Sequence, residues 1–133
     1  MEAENTQSEY LQRDWCIDIS WYEQYRCSLF VLAQSSLCGK CRKKLKGELA
    51  PAELMANIKK CCSRTTGYIT SDQPLMESVF RIFLAGGNQT MSLSQLKDQL
   101  EARRGGTLSL SLPALGRLLD RDRYYGIHAV SRS

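Results

Sequence analysis

The sequence holds a single histidine, His128, and it has no Gly-rich phosphate loop, dinucleotide-binding loop or serine-nucleophile turn. The usual machinery of nucleotide hydrolysis, hydride transfer and serine hydrolysis is therefore missing. With no nucleophile and supporting acid identifiable beside it, His128 reads as an ordinary strand residue. No run approaches the eighteen or so uninterrupted apolar residues of a membrane span. Met1-Glu2-Ala3-Glu4-Asn5 is acidic and polar where a secretory leader would be basic and then apolar, so the expected compartment is the cytoplasm. In that compartment Asn88-Gln89-Thr90, formally an N-glycosylation acceptor, has no use. The 133 residues are enough for one modest core, and a second unit would need a staple.

Charge and cysteine are what the chain does have, both unevenly spread. Residues 1–37 set two arginines against six acids, 38–73 eight Lys/Arg against three acids, and 74–133 eight against five. A basic middle and C-terminal part suits contact with phosphate or with an acidic protein surface. Of six cysteines, Cys16 and Cys27 stand singly among apolar residues and read as small core residues. Cys38-x-x-Cys41 and Cys61-Cys62 form two tight pairs nineteen residues apart, a spacing that fits the two halves of a four-cysteine zinc site. Gly39 would permit the tight turn that brings the first two sulfurs together. Adjacent cysteines on a regular helix point about 100° apart, so Cys61 and Cys62 can both ligate only if the helix frays or turns between them. Otherwise Cys16, Cys27 or His128 completes the set. A closed site of this kind is structural and leaves no position for a substrate. The alternative chemistry for Cys38-Gly39-Lys40-Cys41 is a redox dithiol with thiolates favoured by the neighbouring cations.

Periodicity gives a mainly helical chain. Residues 1–13 are polar and read as a flexible N-terminus. Trp15, Ile17 and Ile19 alternate with Cys16 and Asp18 as a short strand. Ser20 and Glu23 form a capping-box pattern for a helix to about Ser36. Pro51 opens a second helix that ends by Ser63. The polar stretch 64–73 is placed as the boundary between a cysteine-rich, zinc-stabilised unit (14–66) and a second unit (74–130). In the second unit Pro74 opens a helix stopped by Gly86-Gly87. Thr90-Met91 is a strand stub, Ser92 to Gln95 a capping box for a helix to Arg104, and Ser111 or Leu112 leads a third helix to Asp120 or Arg121. Residues 124–130 read as a strand.

Leu75-x-x-x-Val79-Phe80-x-Ile82-Phe83, then Met91-Ser92-Leu93-Ser94-Gln95-Leu96, then Leu115-Gly116-Arg117-Leu118-Leu119 and Asp122-Arg123-Tyr124-Tyr125 resemble a winged helix-turn-helix domain. The layout is similar to the domain shared by an RNA polymerase delta subunit and chromatin proteins, and the resemblance covers residues 74–130. It implies that the third helix enters the DNA major groove and that the following strand begins the wing, so Arg117, Arg121 and Arg123 would touch nucleic acid. Arg42, Lys43 and Lys44, beside Cys41, would add phosphate contacts.

The fold class expected is thus a zinc-knuckle-like helical unit followed by a winged helix. The function expected is non-catalytic nucleic-acid binding, on DNA, as a transcription-associated regulator, with structural zinc on Cys38, Cys41, Cys61 and Cys62. Neither a membrane nor a small-molecule substrate is expected. An adaptor that docks the winged helix on an acidic protein partner is the alternative, and a dithiol oxidoreductase comes third.

Overall fold

The computed structural model describes residues 11–45 and 47–130. Most of the N-terminal stretch 1–13, and Lys46 of the basic run, lie outside the described residues. β1 (Asp14–Ile17) turns Trp15 and Ile17 inward, as the alternation requires. The helix that follows starts one cap earlier than its capping box implies. Asp18 accepts from the backbone N–H and the hydroxyl of Ser20, so Ser20 is a partner of the cap and α1 spans Ile19–Gln24. The chain then breaks where continuous helix is expected: Arg26 takes a left-handed φ of 54° and the Cys27 N–H returns to the Tyr22 carbonyl. Ser28 caps a new helix, α2 (Leu29–Ala33), which runs into a 3-10 turn at Gln34–Ser36. Two short helices in place of one let Trp21 and Tyr22, and then Leu29, Phe30 and Ala33, all reach the core.

Around the first cysteine pair lies a helix, α3 (Gly39–Lys44), with Cys38 as its N-cap. Gly39 is its first residue and has no left-handed backbone, so glycine's conformational freedom is not what shapes this turn. α4 (Pro51–Lys60) buries Leu54, Met55 and Ile58. A 3-10 turn, Cys62–Arg64, follows it. Next come α5 (Leu75–Ala85), β2 (Met91–Ser92) and α6 (Leu93–Arg104), the last begun by a complete Ser92–Gln95 capping box and ended by Gly105 in the left-handed region. α7 (Leu112–Asp120) is capped by Ser111 with Pro113 in its first turn. β3 covers only Ile127–Val130, because Gly126 at φ +70° turns the chain just before it.

The sheet order is β2-β1-β3, with both pairings antiparallel. The centre is therefore held by β1, from the N-terminal part, between two strands that belong to the 74–130 span. Trp15 faces Met91 on one side and Ala129 on the other, and Ile17 faces Ile127. Asn88 extends the β2 side: its Oδ1 accepts from the Ile17 N–H and its Nδ2 donates to the Ile17 carbonyl, each at 2.7 Å. Within this fold the Nδ2 that glycosylation would use is already engaged.

One hydrophobic cluster joins both spans, from Trp15, Ile17 and Leu54 through Phe80, Phe83 and Leu96 to Leu115 and Ile127. The stretch 64–73, polar in sequence, is knitted into it by Tyr68, which is 3% exposed. The Tyr68 hydroxyl donates to the Arg81 carbonyl, and the buried Arg81 guanidinium donates to the carbonyls of Tyr68 and Ser35. Burial raises the Tyr68 phenol above its ordinary range.

Candidate functional site

The four clustered cysteines come from two elements that meet at their ends. Cys38 caps α3 and Cys41 lies within it, while Cys61 ends α4 and Cys62 opens the 3-10 turn. The Sγ atoms of Cys38, Cys41 and Cys62 all lie within 4.8 Å of one another. Cys38 Sγ is also 3.6 Å from Cys61 Sγ and 3.6 Å from Cys62 Sγ. Cys61 departs from helix geometry, with φ −127° and ψ −68°. This break between α4 and the 3-10 turn is the fraying that two adjacent cysteines need if they are to point at one partner. A backbone amide donates to sulfur in the cluster: that of Cys38 to Cys62 Sγ, at 3.2 Å.

The four thiols differ in acidity. The Cys41 amide, opposed by burial and joined by the surrounding thiols, brings Cys38 down to about 7. Burial pushes Cys41 and Cys62 up, and the hydrogen bond to Cys38 pushes Cys61 up. Cys38 is the thiol held lowest of the four, and its sulfur stands 3.6 Å from those of Cys61 and Cys62. The set of donors is soft, compact and tied to a fully buried residue, Cys62, and it can hold a metal ion.

The other candidates for the fourth position stand elsewhere. His128 lies on β3, opposite Cys16 of β1, with its Nδ1 3.1 Å from Asp18 Oδ2. Cys16 is half-buried in the sheet, and neither it nor His128 joins the cluster. Cys27 is exposed, not a core residue, because the break at Arg26 turns it outward with its thiol toward the Tyr25 carbonyl. Tyr124 too is exposed, at 63%, while Trp15, Trp21 and Tyr22 are buried.

The basic residues separate into two places. Arg42, Lys43 and Lys44 are exposed on α3, and Arg42 lines a cleft of about 610 Å³ with Phe30, Val31 and Glu48. Arg117 and Arg121 are exposed on and just after α7, beside Leu118, which is 40% exposed. Arg123 is exposed but committed: it donates to the carbonyls of Asp120 and Asp122. Asp122 itself is buried and accepts from the N–H groups of Tyr124, Tyr125 and Ile127.

Sequence reading passes over the buttress behind the centre. Arg103 of α6 donates to the Ser63 carbonyl, one residue past Cys62, and stacks on Tyr68 at 5.5 Å. No local pattern announces it, since its partner is forty residues away. A second unannounced feature is an apolar groove of about 400 Å³ lined by Trp21, Tyr22, Val31, Leu32 and Tyr124. Among the described residues, no helix is long and apolar enough to cross a membrane. No protein-family model matches this sequence, and no curated protein or solved structure matches it either.

Proposed function

We infer that Cys38, Cys41, Cys61 and Cys62 hold one structural zinc and that the chain binds nucleic acid without catalysis. The observation that carries the metal is the sulfur geometry. Zn–S bonds of about 2.3 Å on a tetrahedron set neighbouring sulfurs about 3.8 Å apart, and the Cys38 sulfur stands 3.6 Å from two partners. The hydrogen bond from the Cys38 amide to Cys62 Sγ suits a thiolate. Four protein ligands leave no open position, so the ion clamps α3 to the end of α4 and performs no reaction.

Nucleic acid is supported by the order α5, β2, α6, α7, β3, which is that of a winged helix-turn-helix with α7 as its recognition helix. Arg117 and Arg121 would meet phosphates or base edges from α7, with Lys43 and Lys44 adding backbone contacts. The strand beside β3 is β1, so any wing is built with the N-terminal strand as its partner. A cytoplasmic, transcription-associated role belongs to the same proposal.

Native mass spectrometry of protein purified without chelator tests the metal: one zinc and six reduced cysteines are expected, whereas a Cys38–Cys41 disulfide without metal would put dithiol chemistry first. Titration of duplex DNA at rising salt tests the ligand, because phosphate contacts weaken steeply with salt.

An adaptor is the second reading, favoured by Leu118 standing exposed between Arg117 and Arg121 and by the groove beside Val31 and Tyr124. It predicts a co-purifying protein and no duplex affinity.

A further inference from the structure

Helix α3 is six residues long, buries no side chain and has no side-chain cap. So short a helix does not hold itself together in water, because fixing its first turn costs more than its few hydrogen bonds return. Leu37 before it and Leu45 after it pack on the core and tether the chain on either side. Within the helix, the contact that ties it to the rest of the protein runs through sulfur: Cys38 to Cys61 and Cys62, with Cys41 completing the group. Cys62 is fully buried, so it is the fixed end of this attachment, and α3 is the arm.

What the arm carries is charge. Lys40, Lys43 and Lys44 are exposed and share one helix face at the i, i+3, i+4 spacing. On the other side of the sulfur group, exposed Lys59 and Lys60 directly precede Cys61, and exposed Arg64 ends the turn that holds Cys62. No acidic residue lies between Leu37 and Gly47, and Glu53 is two turns of α4 away from Lys60. A zinc ion with four thiolates carries a net charge of minus two, which offsets only part of these six cations.

We propose that α3 and the end of α4 form a phosphate-backbone-binding surface for nucleic acid, and that bound metal assembles it by riveting the lysine-bearing arm in place. This inference rests on the reading that the four sulfurs hold a metal. Without the ion, α3 loses its attachment, its three lysines disperse, and the surface falls apart while the sheet and α5 to α7 stay folded. Metal occupancy then governs affinity, in addition to whatever contacts α7 makes.

The test uses the full chain and a short fluorescein-labelled duplex DNA of random sequence, followed by anisotropy across a salt series, with metal content counted by native mass spectrometry. For the zinc-loaded protein, Lys43→Glu/Lys44→Glu should lower affinity at low salt by at least about tenfold and reduce the log–log salt slope by about two. Chelation of the unaltered protein should cause a comparable loss and speed amide exchange at residues 38–45, while amides near Phe80 and Leu115 keep their protection. Arg117→Glu/Arg121→Glu provides an independent readout of α7. Zinc-loaded protein that binds no duplex, or binds it equally well after chelation or with both α3 lysines reversed, overturns this inference and leaves the metal reading standing. A chain purified without metal overturns both.

Discussion

Gly126 turns at φ +70°, and a Cβ added there would sit 2.9 Å from the Trp21 ring and 3.0 Å from the Tyr22 ring. Gly126→Ala is therefore expected to cost at least about 2 kcal/mol, part from left-handed backbone and part from forcing two buried rings apart, and urea unfolding would measure it. Gly39 is the opposite case. It is helical, with nothing within 4 Å of the place an added methyl would take, so Gly39→Ala should leave metal binding intact and change stability by no more than about 1 kcal/mol, in the stabilising direction. If the unaltered protein holds the proposed metal and that variant does not, the cysteine turn needs glycine after all. Asp122 collects three backbone N–H groups in a buried turn, so Asp122→Ala leaves these donors facing an apolar side chain and should cost about 2–3 kcal/mol. The Gly126 effect depends on rings distant in sequence and on a φ value that composition does not reveal, whereas the Asp122 turn is local and the Gly39 effect is that of an ordinary helical position.

At the scale of elements, caps decide where helices begin, and Asp18 shows how. Hydrogen bonds from Ser20, opposed by burial and joined by the His128 contact, hold its carboxyl below the ordinary value of 3.8. A carboxyl lowered in the folded state stabilises the fold above its unfolded pKa, and that contribution is lost as pH falls through the lower, folded value. Asp18→Asn keeps a capping oxygen, so it should preserve α1 at neutral pH while removing this part of the acid-range slope, readable from denaturant unfolding between pH 5 and pH 2 as about one side chain's share. Much of this level was legible in the sequence. The Ser92–Gln95 box, Pro51 in a first turn, a third helix led by Ser111 or Leu112 and the two cysteine pairs are local patterns, and the structure has them where they read. The break at Arg26 was not legible, because Tyr22, Tyr25, Leu29, Leu32 and Ala33 keep a helical period straight across it. Ser28 competes as a second N-cap, and packing of both halves on the core settles the matter. α3 was hidden for a different reason: its inward side is sulfur alone, so it shows no apolar stripe.

For the whole molecule, the central position of β1 matters most. A fragment of residues 74–130 would keep all of its helices and two of the three strands, yet β2 and β3 have no ladder between them without β1. That fragment is expected to show helical signal without a cooperative transition, and a peptide spanning residues 11–19 should restore one when added. Cooperative unfolding of the fragment alone would show that the 74–130 unit folds independently. No local pattern in Trp15-Cys16-Ile17 indicates which strand it will join, since an alternating segment states only that one side is buried. The same arrangement sets the order of events during folding. Ile17 must find Ile127, and Asp18 must find His128, across 110 residues. The contact that completes the sheet thus closes a loop of 110 residues, and its entropy must be met before the ladder returns anything. During synthesis β1 is made before both of its partners, and its β3 edge stays unpaired until residues 127–130 follow. A high relative contact order, slow refolding for the protein's size and a need to shield Trp15 and Ile17 in the interval all follow from where that one strand sits.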